Sequence, residues 1–326
     1  MDTLFDTEEF EREQLSARLH DLAARGIFVG TSSWKYEGWL GGVYTRSRYL
    51  HRGRFSRKAF ETHCLSEYAE TFPTVCGDFA FYQFPEEGFW RNLFSQVPEG
   101  FKFVFKVPEQ ITRKTLPRIE RYGPQAGREN EDFLNVDLLR HDFLNRLRPY
   151  RSKTALLIFE FGQFSKGNFE DVGQFLDRLD PFLADLPDDF RYALEVRNPE
   201  FLEGDYFERL RARGMSHVYT SWTKMPALGE QLGMPGSMTS DILVCRALLR
   251  PGRRYEDAVR LFSPYREIRD PYQEGREAMR DFLYIARKGK KIAFLFVNNR
   301  LEGNSPATII SFVLRDERNA PDPASH

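Results

Sequence analysis

The sequence predicts a (β/α)8 TIM-like barrel. Three observations carry this: eight short apolar runs that read as strands, helical patterns between most of them, and a polar residue near the C-terminal end of one run after another. Strands alternating with helices pair in parallel. Eight such units suggest closure into a barrel, with the polar ends gathered at the C-terminal mouth. The competing arrangement is an open doubly wound sheet with irregular insertions.

The elements follow in order. Residues 8–24 have Phe10, Leu15, Leu19 and Leu22 near helical spacing, which predicts a helix in an N-terminal extension (1–26) packed outside the barrel. The barrel itself is expected over 27–316. Its strands are IFVGTS (27–32), VCGDFAFY (75–82), FKFVFKV (101–107), ALLIFEF (155–161), RYALEV (191–196), SHVYTS (216–221), DILVCR (241–246) and IAFLFVN (292–298). Helices are predicted at 55–71, 86–96, 131–149, 168–184, 205–213, 272–288 and 306–315. The interval 222–240 is broken by Gly and Pro and gives no firm helix. A polar tail occupies 317–326.

Side chains alternate across a strand, and in a barrel the apolar face must meet the surrounding helices. Tyr192, Leu194 and Val196 therefore face outward, leaving Ala193, Glu195 and Arg197 inside. By the same reasoning Lys106 and Arg246 point into the mouth, Glu160 lies late in its strand, Asn298 and Asn299 end the last one, and Ser32 and Trp34 follow the first. Buried charges must pair or meet a ligand. The expected site holds a small anionic or phosphorylated compound on Lys106, Arg197 and Arg246. Glu195 orients Arg197 or serves as general base, with Lys106 as its catalytic companion. Asn298 and Asn299 donate hydrogen bonds, and Trp34, Tyr82 and Trp222 form the walls. The bland alternative is a charged layer that only plugs the barrel.

The net charge of −1 provides no global attraction to nucleic acid or membrane. No apolar run reaches the length of a membrane span. The cysteines Cys64, Cys76 and Cys245 match neither a zinc nor a redox spacing, so no disulfide and no structural zinc are expected. Their sparseness and the acidic N-terminus suggest a cytoplasmic protein. No cofactor is read from the sequence, although Glu160 and Glu195 leave a carboxylate-bound Mg²⁺ as an option.

Several stretches are similar to the domain-of-unknown-function 72 family, also called YecE-like. They are VGTSSWKYEGW (29–39), FPTVCGDFAFYQFP (72–85), FKFVFKVPEQIT (101–112), FRYALEVRNPEF (190–201) and FLFVNNRLEGNSPA (294–307). The resemblance implies a TIM-type barrel and brings no reaction with it. Where it implies a carboxylate this chain has Cys76, where it implies His it has Asn198, and where it implies His-Gly it has Ala247-Leu248.

One alternative function comes from residues 34–58. Arg46, Arg48, Arg52 and Arg54 are interleaved with Trp34, Tyr36, Trp39, Tyr44 and Tyr49, a composition that suits phosphates and stacked bases. On that reading the loop is a mobile or partner-dependent cover of the mouth that binds nucleic acid.

Overall fold

The computed structural model describes residues 11–315. Eight strands run parallel: β1 (Ile27–Thr31), β2 (Thr74–Gly77), β3 (Lys102–Lys106), β4 (Thr154–Phe161), β5 (Tyr192–Val196), β6 (Ser216–Ser221), β7 (Ile242–Ala247) and β8 (Ile292–Val297). They close in the order β1-β8-β7-β6-β5-β4-β3-β2. The seam between β1 and β2 is a single register pair, Thr31 with Val75. Gly30 permits this approach, because a Cβ there would lie 2.2 Å from the Thr74 carbonyl oxygen.

Each predicted strand is present. The second is shorter than expected: it stops at Gly77, and the chain turns through a 3₁₀ segment at Phe79–Phe81. Phe79 packs on Phe105, Trp90 and Trp34 there, a tertiary contact that ends the extended run. The N-terminal helix α1 covers Arg12–Ala24 and buries Leu15, Leu19 and Leu22; Phe10 and the polar tail lie outside the described residues. Helix α2 (Arg57–Thr71) is capped by the Ser56 hydroxyl, which accepts from the Ala59 N–H at 3.2 Å, and α3 spans Glu87–Ser95. Helices at Tyr255–Phe262 and Leu228–Gly233 were not expected from the sequence.

The alternation rule places the core correctly. Val104, Leu156, Ile158, Ala193, Val218, Val244 and Phe296 fill the barrel interior. Phe103, Phe105, Leu194, Val196, Leu243 and Cys245 pack outward into the helical layer.

His217, on the outer side of β6, sits among the rings of Tyr206, Phe207 and Tyr219. Burial lowers its pKa from 6.5 to about 3. The unfolded chain takes up a proton below about pH 6.5 while the folded one does not, so stability falls as pH drops from 6.5 towards 3. Each pH unit is worth about 1.4 kcal/mol. His217→Phe is therefore expected to lose about 2–3 kcal/mol less than wild type between pH 7 and 4.5. Urea unfolding at the two pH values measures this, and equal losses would refute it.

Candidate functional site

The polar strand ends meet at the mouth in one ion network. Glu195 is fully buried. Its Oε2 lies 2.5 Å from Arg246 Nη1, and its Oε1 lies 2.5 Å from Arg197 Nη2, a close ion pair that is not aligned as a hydrogen bond. Glu160 is the register partner of Glu195 on β4. Its Oε2 receives Arg246 Nη1 at 2.6 Å and Arg197 Nη2 at 3.2 Å, with Lys106 Nζ also at 3.2 Å. The sixth member is Asp78, immediately after β2: its Oδ1 stands 3.3 Å from Arg246 Nη2 and 3.6 Å from Lys106 Nζ.

Asp78 sets the charge balance of the network. Three cations face three carboxylates, so the cluster carries no surplus positive charge as a whole. Because β2 ends at Gly77, the next residue turns its carboxylate over the mouth, two positions beyond buried Cys76.

The electrostatics fix the protonation states. Burial opposes the charge on Glu160, but Lys106, Arg197 and Arg246 outweigh it and hold its pKa well below the ordinary carboxylate value. Burial also works against the Lys106 ammonium, yet Asp78 and Glu160 overcome it and raise its pKa. Lys106 thus stays charged, its Nζ 3.6 Å from the centre of the Phe81 ring. Arg246 is likewise desolvated and likewise held charged, chiefly by Glu195. Of the two roles expected of Glu195, the geometry fits the orienting of Arg197. Glu195 is sealed beneath two guanidiniums and anchors them, so its geometry does not suit a general base that must touch a substrate. Lys106 is a pinned ammonium.

Arg197 differs from its neighbours. Only 7% of it is exposed, its guanidinium lies 4.2 Å from the Trp222 ring centre, and its Nε and Nη1 have no hydrogen-bond partner in the protein. It borders a cavity of about 280 Å³ together with Glu160, Trp222, Arg113 and Lys224. Arg113 and Lys224 have no sequence signal of their own, since both stand in loops and reach the mouth only through the fold.

The remaining expected residues divide. Trp222 walls the mouth as predicted, and Tyr82 stands at the rim, 54% exposed, beneath Arg121. Trp34 instead lines a separate cleft between α2 and α3. Ser32 is buried and gives its backbone N–H to Val297 O. Asn298 Oδ1 accepts the Arg300 N–H. Asn299 Oδ1 accepts from Trp39 Nε1 and from the N–H and hydroxyl of Ser305, so its carbonyl holds the final helix rather than a ligand. Asn198, where the resemblance implies His, ties the Phe164 N–H and carbonyl to its own amide group. Among the described residues no three His, Cys, Asp or Glu come together with metal-binding spacing. A Mg²⁺ on Glu160 and Glu195 would lie among three positive side chains, so these carboxylates do not fit one.

The loop at 34–58 folds inward. Trp39, Tyr44 and Tyr49 are buried, packed through one another and through Phe60 of α2. Glu67 of α2 anchors the loop by accepting from Tyr49 Oη at 2.6 Å and from the Thr45 N–H at 2.9 Å. Arg48 pairs with Glu67 and Glu70, and Arg46 stacks on Phe55. The aromatics that would have stacked bases thus belong to the core.

The family model described as Protein of unknown function DUF72 matches residues 28–324. UPF0759 protein YecE of Escherichia coli K12 is 23% identical over 190 residues, covering 58% of this chain and 55% of that relative. The chain therefore spans little more than half the length of this relative. Among solved structures, a DUF72 family protein from Enterococcus faecalis V583 aligns with a TM-score of 0.58 at 18% identity, covering 92% of this chain and 99% of that one. Another from Thermotoga maritima MSB8 aligns at 0.57 and 17%, covering 89% and 99%. These structures share the fold.

Proposed function

We propose, from the premise that this chain belongs to the family described as Protein of unknown function DUF72, that its barrel mouth binds a small anionic compound bearing a carboxylate or phosphate. The observation that carries this reading is Arg197: a buried guanidinium, stacked on Trp222, with two donor nitrogens that have no partner in the protein, in a residue that borders a cavity together with Arg113 and Lys224. Buried unpaired donors are costly, and a planar fork matches carboxylate or phosphate oxygens. Lys106 and Arg246 hold the carboxylates that position Arg197 and are not themselves the binding groups. Of the three carboxylates in the network Glu160 is the one that borders this cavity, so any contact of these carboxylates with a bound compound is assigned to it rather than to Glu195.

A thermal-shift and calorimetric titration with sulfate, phosphate and citrate tests the reading. Saturating anion is expected to stabilise the protein by roughly 1–3 kcal/mol, and Arg197→Met to remove that gain, while Arg52→Ser with Arg54→Ser leaves it intact. Affinity should fall only shallowly with salt, whereas an extended nucleic-acid contact would give a steep slope. If no anion raises the melting temperature of the wild type, the reading fails.

A further inference from the structure

A second cavity lies away from the cavity at Arg197. It is a cleft of about 540 Å³ between α2 and α3, a volume typical of sites for drug-sized molecules. Trp34, Phe79 and Phe89 form its aromatic lining, with Leu65 and Leu93 as aliphatic walls. The rings are already arranged for stacking: Trp34 meets Phe79 edge to face at 5.9 Å, and Phe79 lies 4.9 Å from Phe89. Phe89 is 41% exposed, unusual for a phenylalanine in a chain that buries most of its aromatic rings.

Charge narrows the ligand class. Lys35 and Lys58 both border the cleft, and among the described residues neither forms an ion pair. Lys35 Nζ lies 5.8 Å from the centre of the Trp34 ring. Glu61 of α2 also borders the cleft and pairs with Arg57 at 2.9 Å. Asp78 borders the cleft from the barrel side, but its Oδ1 is occupied by Lys106 and Arg246. Helices of a barrel begin at the mouth end, so Lys58 in the first turn of α2 brings its ammonium to the open end of the cleft. The inner part therefore offers ring faces, and the rim offers two uncommitted cations.

We propose that this cleft is a second binding site, separate from the mouth, for a planar aromatic compound carrying one anionic group. The ring inserts against Phe79, Phe89 and Trp34, and the anion meets Lys35 and Lys58. The two sites are separated by the ion network itself: Asp78 borders the cleft, Glu160 borders the mouth cavity, and Lys106 bridges them. Occupancy of one does not require the other.

Gly88 makes the proposal testable without damage to the fold. It lies in the first turn of α3 and lines the cleft, and a Cβ placed on it meets nothing within 4 Å. Gly88→Leu is therefore expected to fill the cleft and leave the melting temperature unchanged or higher, since glycine is a poor helix former. The probe is 2-naphthoate, followed by calorimetry and by Trp34 fluorescence, with neutral 2-naphthylmethanol as the comparison. Naphthoate is expected to bind with a dissociation constant on the order of 1 mM or tighter. Gly88→Leu should abolish binding, and Lys35→Met with Lys58→Met should weaken it by about tenfold, a typical loss for two charge-assisted contacts. Arg197→Met should leave it unchanged, which separates this site from the mouth. The proposal is overturned if naphthoate does not bind, if it binds Gly88→Leu as well as wild type, if naphthylmethanol binds equally well, or if Arg197→Met removes binding.

Discussion

Arg246→Met is expected to lose about 3–5 kcal/mol of folding free energy. Arg246 is 1% exposed and contacts the carboxylates of Glu195, Glu160 and Asp78. Removing it leaves Glu195, with no exposed surface, facing only Arg197, and leaves Glu160 short of its closest cation. Methionine fills much of the volume, so the loss reports uncompensated charge and not a cavity. A second change identifies the cause: Glu195→Gln added to Arg246→Met should recover at least about 1 kcal/mol, because it removes one of the stranded charges. Urea denaturation of the single and double variants measures both quantities. A single variant within about 1 kcal/mol of wild type would mean that the network is solvated and not a buried unit.

Glu302→Ala should cost a similar amount, about 3–4 kcal/mol, through a different part of the fold. Glu302 follows β8 and is fully buried. It accepts from the Tyr272 N–H, from Arg276 Nε at 2.9 Å and Nη2 at 3.1 Å, and from the Thr308 hydroxyl at 2.7 Å. One carboxylate thus joins the start of the Gln273–Lys288 helix to the Ser305–Val313 helix. Its removal leaves a largely buried guanidinium and a buried backbone donor without acceptors. Amide exchange should quicken in both helices while the strands opposite, β3 to β5, keep their protection. Glu302→Gln should be milder, since it keeps one acceptor oxygen and the side-chain shape. Uniform acceleration across the barrel, or none, would count against this role.

Glu302 lies in the FLFVNNRLEGNSPA stretch that carries the resemblance to the family, yet its role is not readable there. Its partners come from residues about thirty positions earlier and six positions later. The same separation explains which parts of the mouth were legible. That Glu195, Arg197, Lys106, Glu160 and Arg246 face inward follows from the two-residue period of a strand whose other face must be apolar. Which of them remains free to bind does not follow, because it depends on contacts among the ends of five strands. Lys106 and Arg246 are held by Glu160, Glu195 and Asp78, while Arg197, with two unpartnered nitrogens against one on Arg246, is the member of the three that borders the cavity of Trp222, Arg113 and Lys224.

By itself, then, the sequence determined the closed eight-stranded barrel, the outward and inward faces of its strands and the end at which charges gather, since alternation and strand–helix order are local properties. Tertiary structure alone decided the rest. It ended β2 at Gly77 by packing Phe79 on Phe105 and Trp90, which placed Asp78 over the mouth and balanced the charges. It turned Trp39, Tyr44 and Tyr49 into the core, because an apolar ring beside a basic residue reads the same in sequence whether it faces water or Phe60. It moved Trp34 away from the mouth and into the cleft of α2 and α3. Such outcomes depend on which surfaces meet after closure, and a residue's own neighbours in the chain carry no record of that.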